Sequence, residues 1–510
     1  MKRIFALLLC VCMALTAVTG CNTQEGVYIP TGGELVYDPS ENPGQQETTD
    51  ESFALAYYPD RPVNPYSCMD PTNRMLFSLL YQGLFAVDQK YNVTPMLCSS
   101  YSRSADMCSY TFRLEAATFS DGTAVTVEDV AASLNAAKTS SYYGGRFQHV
   151  TSISVLADTV VIKLDTPCGN LPLLLDVPIV KAAEVKAAQP LGTGPYVLDS
   201  AAQGNWLRRR QDWWCKATVP VTTSFISLIT ADGAKDIRDQ FEYGTVSLVC
   251  ADPVAEDYAD YRYDHELWGC ETGIFMYLVC NSRSKLFSNK TVRAALTHAM
   301  DRDALVQNHF RGLARSATLP ASPQSPWYSQ SLAENYGYDK QVFADAVAAL
   351  PEAERTVKIL INKEDQLKYE VALSIADMLE ECGLTVTIQQ ESGDNYIEHL
   401  RWGSYDLYLA QTKLSANMDL SAFFMTGGGL SYGGLANASV YALCQGALAD
   451  SGNYAALHKR IMDDAWLCPL LFRSYGVYAA RGVVTNLAPA RDAVLFYTTG
   501  KSMEDAFVKN

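Results

Sequence analysis

The chain has 510 residues, of which 48% are hydrophobic and 11% aromatic, a composition typical of a folded protein with a sizeable core. That length has room for two or three domains. The formal net charge is −16. Because nucleic acids and anionic lipid surfaces are bound by clustered cations, neither is expected as a partner.

The first 20 residues are typical of an export leader. Lys2 and Arg3 form a positive start, and the apolar run IFALLLCVCMALTAV that follows is short for a membrane span. Small residues then lead directly into Cys21 and a polar tail. This end resembles the lipobox of bacterial lipoproteins, which implies that Cys21 is lipidated and anchors the protein to the outer face of the cytoplasmic membrane. The alternative is an ordinary secretory leader with an incidental cysteine.

Residues 21–51 predict a flexible tether, because they are rich in Gly, Pro, Thr and acids and poor in core-forming residues. A coil of this length reaches about 30 Å, enough to lift a folded body above lipid headgroups.

The cysteines indicate neither a metal site nor a redox site. Of 14 cysteines, Cys10 and Cys12 lie in the leader and Cys21 ends it, which leaves an odd number, 11, for the body. They are scattered without a C-x-x-C pair, so most are expected to be small buried hydrophobes. No metal and no cofactor is predicted.

Two local patterns predict an α/β fold. Thr126 and Asp129 form a capping-box pattern at the start of an Ala-rich helix. The strand-like run TVKILI, an amphipathic stretch over residues 366–382 that Gly383 ends, and the alternating run LTVTIQQ form one β-α-β unit. Parallel strands joined in this way need a right-handed crossover, so at least residues 356–410 are α/β.

Catalytic motifs are missing. The chain has no G-x-S-x-G and no H-E-x-x-H, and the S-x-x-K match at Ser282–Lys285 lacks its S-D-N and K-T-G partners. No enzyme and no catalytic residue is therefore predicted.

Five segments stand out in chain order: LLYQGLFAVD, YTFRLEAATFSDGTAVTVEDVAASL, GTGPY, QDWW and VCNSRSKLFSNKTVRAALTHAMDRDALV. Together they resemble the family 5 extracellular solute-binding proteins, the peptide and nickel receptors of ABC transporters. The match is clearest in Gly-Thr-Gly-Pro-Tyr at residues 192–196, and the resemblance runs from about residue 52 to the C-terminus.

The resemblance implies a two-lobed α/β fold of the type II periplasmic-binding-protein kind, with the ligand between the lobes. Lobe one is expected to comprise residues 52–273 plus 482–510, and lobe two residues 274–481. The implied function is that of a monomeric, lipid-anchored substrate-binding protein that closes on an oligopeptide or dipeptide and delivers it to the permease subunits of an ABC importer. The alternative is a surface sensor or scaffold that keeps the fold without a role in transport.

The stretch KLSANMDLSAFF holds two candidate ligand contacts. Peptide receptors of the family carry a Trp-x-x-Asp pattern near this place, and here Lys413 and Ala416 stand at those two positions. Asp419 fits a second aspartate of the family, and it either caps the helix that follows or anchors a ligand. Lys413 predicts an anionic ligand group, unless it points to solvent at a strand end.

Five aromatic residues complete the predicted site. Because strand ends of α/β lobes face the crevice between the lobes, rings there can form a rigid wall. The candidates are Tyr57, Tyr58, Trp402, Tyr405 and Tyr432.

Overall fold

The computed structural model describes residues 53–497 except 220, 222, 485, 486 and 492. The predicted leader, the lipidation of Cys21 and the tether all lie outside the described residues, as does the end of the chain from residue 498. Among the described residues, no helix combines the length and the apolar character that crossing a membrane requires.

Strands and helices alternate along the described chain. The strands are β1 (Ala54–Tyr57), β2 (Phe85–Val87), β3 (Val93–Pro95), β4 (Cys98–Arg103), β5 (Ser109–Leu114), β6 (Val150–Leu156), β7 (Thr159–Leu164), β8 (Tyr196–Ala201), β9 (Gly204–Arg209), β10 (Phe225–Thr230), β11 (Leu248–Ala251), β12 (His265–Cys280), β13 (Ala314–Ser316), β14 (Thr356–Asn362), β15 (Thr385–Glu391), β16 (Leu407–Lys413) and β17 (Leu467–Ala480). The helices are α1 (Pro71–Arg74), α2 (Phe77–Leu80), α3 (Val127–Thr139), α4 (Ala234–Glu242), α5 (Lys285–Ser288), α6 (Lys290–Ala299), α7 (Arg302–Phe310), α8 (Gln330–Ala333), α9 (Lys340–Ala348), α10 (Gln366–Glu381), α11 (Gly393–Trp402), α12 (Ser421–Phe424), α13 (Ala438–Ala449) and α14 (Tyr454–Asp464).

One large sheet runs through the molecule in the order β15-β14-β16-β12-β17-β11-β1-β10-β9-β8, with β13 paired to β17. Strands β1, β10 and β11 are parallel, and so are β14, β15 and β16. The long strands β12 and β17 pair with each other and join these two groups. The chain therefore forms two lobes that share two strands, and the predicted boundary at residue 274 falls inside β12.

The two shared strands are irregular at the point where the lobes meet. Their pairing shifts register between Glu271 and Phe275. Gly273, inside this irregular stretch, has a φ of +72°, a conformation that favours glycine over residues with a Cβ atom. A bend localised in this way is where two lobes that share strands can hinge.

A separate antiparallel sheet, β4-β5-β7-β6, belongs to lobe one and packs with α3. The predicted capping box of that helix is confirmed, because Thr126 accepts from the Asp129 N–H and Asp129 accepts from the Thr126 N–H. Between α3 and β6 the chain forms a short connection, residues 142–149, which we call the 142–149 segment.

The β-α-β unit predicted in lobe two is also confirmed. Strands β14 and β15 are parallel and in register over seven pairs, and α10 connects them. The helix gives way at Gly383, whose φ of +92° lies in the left-handed region. The cysteines of the described residues are buried apart from the half-buried Cys108, as predicted for most of them.

Candidate functional site

The carboxyl ends of the parallel strands of both lobes point toward the shared strands. β11 ends where Ala251 pairs with Gly476 of β17, and β16 ends where Lys413 pairs with Ile274 of β12. Ligands of open α/β sheets bind outside the carboxyl ends of the strands. The geometry of the sheet therefore places the candidate site in the crevice between these two sets of strand ends.

A crevice with an empty volume of about 1170 Å³, part of it open to solvent, lies at this place. Lobe one contributes residues 253–256, directly after β11, and lobe two contributes Asn362, Gln411 and the start of α10. Its size suits a small molecule or a short peptide. The lining includes the acids Glu256, Glu364, Asp365 and Glu370 and the cations Arg311 and Arg473. Because acidic side chains outnumber the arginines, the crevice favours a cationic ligand group.

Arg473 of β17 forms the base of the crevice. Its Nη2 atom donates to both oxygens of Asp252, at 3.0 and 2.8 Å, and its Nη1 donates to Gln411 at 3.1 Å. The two paired side chains are largely buried. A hydrogen bond between a guanidinium and a carboxylate is charge-assisted and stronger than one between neutral groups. The bonds to Asp252 tie the end of β11 in lobe one to a shared strand.

Lys413 lies two residues beyond Gln411, on the same face of β16. Its Nζ atom is 3.8 Å from the centre of the Tyr142 ring, and the guanidinium carbon of Arg74 is 3.3 Å from the same centre. Two cations cannot share one ring face at such distances, so Tyr142 is held between them. The predicted alternative of a lysine that points to solvent does not fit this contact.

Asp419 joins lobe two to the 142–149 segment. Its Oδ1 accepts from the Ser421 N–H at 2.8 Å, at the start of α12, and its Oδ2 contacts His149 Nε2 at 2.9 Å and also accepts from Gln148. The carboxylate is buried. The N-cap position of α12 is Leu420, so Asp419 is not itself the predicted cap, although it bonds the first residue of the helix and both its oxygens are engaged within the protein.

The His149 and Asp419 side chains shift each other's ionisation. Burial lowers the pKa of His149, but the carboxylates of Asp419 and Asp165 outweigh burial and hold the pKa above its ordinary value. Burial raises the pKa of Asp419, but hydrogen bonds and charge from His149, together with Ser421, hold it below its ordinary value. The pair is therefore a charged bridge between the lobes at mildly acidic pH.

The residue before Asp419 is strained. Met418 has a φ of +52°, which residues with a Cβ atom seldom adopt. The conformation turns the chain after β16 so that Asp419 reaches back to lobe one. Strained residues persist where the surrounding structure over-determines them, and such sites are often functional.

A further contact crosses from lobe one to lobe two at Glu271 of β12. Tyr91 donates to one of its carboxylate oxygens at 2.6 Å, and Ser322 donates to the other at 2.6 Å. Trp327 packs edge-on against Tyr91, and its ring also lies at a tilt against that of Tyr454. These contacts hold the lobes together beside the shared strands.

The five predicted aromatic residues do not gather around the crevice. Tyr57 and Tyr58 are at the carboxyl end of β1, on the crevice side, but both are buried. Burial, followed by the charge of Asp70, raises the pKa of Tyr58 to about 12, and the Arg61 guanidinium lies 3.7 Å from its ring centre. Tyr58 therefore packs in a small core with Ile237 and Phe241 of α4 and does not line the crevice.

The other three lie toward the amino end of β16. Trp402 ends α11 and is 63% exposed, whereas Tyr405 is buried and packs edge-on against Tyr408. Tyr432 is half-buried, and the adjacent Gly433 lies against the Tyr405 hydroxyl. Because the crevice lies at the carboxyl end of β16, a ligand role for these three stays a prediction that their placement does not favour.

Sequence reasoning missed several residues of the crevice and its closing contacts. Arg473 and Asp252 are 221 positions apart in the chain, and His149 and Asp419 are 270 apart, so no local motif joins them. The stretch that contains Lys413 and Asp419 was the sequence signal that led to this region.

Two α/β lobes that share two strands, with a crevice at the strand ends of both, define the two-lobed class of periplasmic binding proteins, a fold of solute receptors. Residues 92–432 match the model of the bacterial extracellular solute-binding proteins, family 5, middle region, and the chain belongs to this family. The fold class and the family predicted from the sequence are thereby confirmed.

Individual relatives are more distant. The chain is 28% identical over 288 residues to the glutathione-binding protein GsiB of Escherichia coli strain K12, a match that covers 53% of this chain and 55% of that protein. The chain thus spans about half the length of the curated relatives it matches.

Solved structures share the fold over most of the chain. The agropinic acid complex of AgaA from A. tumefaciens R10 is 21% identical with a TM-score of 0.62, and covers 90% of this chain and 98% of its own. The unliganded open form of the periplasmic murein tripeptide binding protein MppA is 15% identical with a TM-score of 0.72, and covers 90% and 98%. At these identities the likeness concerns the fold alone.

Proposed function

We propose that this protein is a lipid-anchored substrate-binding protein of an ABC importer, and that it captures a dipeptide or short oligopeptide by closing its two lobes. The observation that carries the proposal is the crevice, which is built from the strand ends of both lobes beside the two strands that they share. A ligand that touches both lobes favours the closed arrangement, and a permease can distinguish that arrangement from the open one.

The charges around the crevice support a peptide as the ligand. Glu256, Glu364 and Glu370 line the rim, whereas Lys413 lies beyond the base, against Tyr142. A short peptide carries an ammonium group at one end and a carboxylate at the other, so its charges complement these two ends. The names of GsiB, a glutathione-binding protein, and MppA, a murein tripeptide binding protein, agree with a small peptide.

Mass spectrometry of the solute that co-purifies with the full chain tests the ligand class. We expect gentle denaturation to release a peptide of low mass, and we expect Lys413→Ala to retain at least ten-fold less of it. The exposed Lys235→Ala is the matched control and should retain as much as the parent protein. Release of a sugar or a metal chelate would contradict the peptide as the ligand class, but it would still agree with a solute receptor.

Uptake separates the transport role from the alternative of a surface sensor. Cells that lack this chain should fail to import the released peptide if the protein feeds an importer. Unchanged uptake with retained binding would favour the sensor.

The lipid anchor has its own test. We expect Cys21→Ser to move the protein from the membrane fraction to the soluble fraction, because the acyl chains supply the membrane affinity. A variant that stays with the membranes would contradict the anchor and leave the ligand class undecided.

A further inference from the structure

A second cavity lies inside lobe one. It has an empty volume of about 660 Å³, part of it open to solvent. Aromatic rings form much of its wall, and the chain returns to it near its C-terminal end, at Arg491. Arg146 and Asp176, which are paired with each other, also line it. The rings are those of Phe77, Tyr81, Phe85, Tyr143, Phe496 and Tyr497.

Several buried polar atoms on this wall have no hydrogen-bond partner among the described residues. They are Nε and Nη1 of Arg491, Oγ of Ser78, Nε2 of Gln82 and Oη of Tyr497. The last two lie within reach of each other, so Nε and Nη1 of Arg491 and Oγ of Ser78 are the atoms that most need an occupant. Buried polar groups are nearly always satisfied in native proteins, so a concentration of unsatisfied groups around one cavity indicates an occupant.

The unsatisfied atoms define the chemistry of that occupant. Every one of them can donate a hydrogen bond, and the nitrogens of Arg491 and Gln82 can only donate. The complementary group accepts several hydrogen bonds and carries negative charge, as a carboxylate does. Among the residues that the structure describes, the nearby carboxylates are already engaged, since Asp176 is paired with Arg146, and both oxygens of Glu271 are bound by Tyr91 and Ser322.

Arg491 also connects this cavity with the hinge. Its third nitrogen, Nη2, donates to the carbonyl oxygen of Leu414, which follows β16 of lobe two. Its guanidinium lies against Gly273, where an added Cβ atom would come within 2.5 Å of Nη2. A glycine is therefore required here for the close approach as well as for its positive φ.

We propose that this cavity is a binding site for the carboxylate group of a small acid with an apolar or aromatic body, and that Arg491 binds the carboxylate. The aromatic wall takes the body of the acid, and Ser78, Gln82 and Tyr497 supply further donors. The proposal does not depend on the peptide assigned to the crevice. The carboxylate belongs either to a separate small molecule or to an extension of the crevice ligand.

Calorimetric titration of the full chain with phenylacetate, and with its neutral analogue phenylacetamide, tests the site. We expect phenylacetate to bind at least ten-fold more tightly than the amide. Arg491→Gln should remove this difference, and Arg491→Lys should keep part of it. The exposed Arg262→Gln is the matched control and should bind as the parent protein does.

Two further variants keep the test decisive. Tyr497→Phe removes one hydroxyl without changing the ring, and should weaken phenylacetate two- to three-fold even if Arg491→Gln fails to fold. Arg473→Gln alters the base of the crevice and should leave phenylacetate binding unchanged if the acid is a separate molecule in lobe one.

The contrary outcomes are equally defined. If Arg473→Gln abolishes binding and Arg491→Gln does not, the acid occupies the crevice and the proposal is overturned. If phenylacetate and phenylacetamide bind equally, or neither binds, the cavity holds only water and the proposal is also overturned. Competition between phenylacetate and the co-purified solute of the crevice would show that one ligand extends into both places.

Discussion

Arg473 and Arg491 are both buried arginines at the junction of the lobes, and they differ in their partners. Arg473 makes two hydrogen bonds to Asp252 and one to Gln411. Arg491 donates only to the carbonyl of Leu414, and its other two nitrogens have no partner among the described residues. The first arginine lies at the base of the crevice, and the second faces the cavity of lobe one.

This difference in partners indicates that the charge of Arg473 serves the structure, whereas the charge of Arg491 is available to a ligand. Removing one partner of a buried pair leaves an uncompensated charge, which is costly. A charge that lacks a partner already bears that cost in the free protein. We therefore expect substitutions around Arg473 to act on stability, and substitutions of Arg491 to act on binding.

The largest stability effect is expected for Asp252→Asn. The change leaves the Arg473 charge unmatched at the base of the crevice, and because Asp252 is partly exposed we expect a loss of about 2 kcal/mol in the free energy of unfolding. Urea unfolding measures it. Asp264→Asn breaks the exposed pair with Arg481 and should cost clearly less, because solvent screens that pair. Equal losses in the two variants would remove the distinction between the regions.

A pair whose charge depends on pH lies between these two cases. The His149 and Asp419 bridge has a histidine pKa above 6.5 and an aspartate pKa below 3.8. A raised histidine pKa contributes stability that is fully present below 6.5 and is lost as the pH rises through the folded value. A lowered aspartate pKa contributes stability that is present above 3.8 and is lost as the pH falls through the folded value.

His149→Gln tests this bridge, because glutamine keeps a donor but not the charge. We expect the variant to be less stable than the parent by about 1 kcal/mol between pH 4 and 6.5, with the difference shrinking as the pH rises above the folded pKa of His149. Asp165 and Asp419 face the ring, and Arg146 lines the same small cavity. Urea unfolding at a series of pH values measures the difference. A constant difference from pH 5 to 9 would show that His149 acts only by packing.

The fold was predictable where its signals are local. The capping box at Thr126 and Asp129 lies within one helical turn, and the strand, helix and strand from residue 356 to 391 follow one another directly. Hydrophobic period and capping chemistry act over such short distances and survive in a single sequence. The two-lobed fold was predicted from the family motifs, because hydrophobic periodicity along the chain does not show how many lobes form.

The site was less predictable, for a physical reason. The crevice depends on which end of each strand faces the partner lobe, and strand direction emerges only from the assembled sheet. Tyr405 was selected as a strand-end residue, but it precedes β16, and the crevice follows that strand. Lys413 ends the same strand and does lie beside the lobe junction. No local sequence pattern marks Arg491, because the role we propose for it rests on two guanidinium nitrogens that have no hydrogen-bond partner among the described residues.

The sharpest contrast between the two arginines is expected from exchanging each of them for methionine. Methionine fills a similar volume without the charge, and replacing an unmatched buried charge with an apolar side chain is often neutral or stabilising. Arg491→Met should therefore change the free energy of unfolding by less than about 1 kcal/mol, because only the bond to Leu414 is lost. Arg473→Met leaves the carboxylate of Asp252 without its cation and Gln411 without its donor. It should lower the free energy of unfolding by clearly more than Arg491→Met does. Urea unfolding of both variants, with no added acid, measures the contrast. A loss from Arg491→Met as large as that from Arg473→Met would mean that the cavity arginine holds the fold and is not reserved for a ligand.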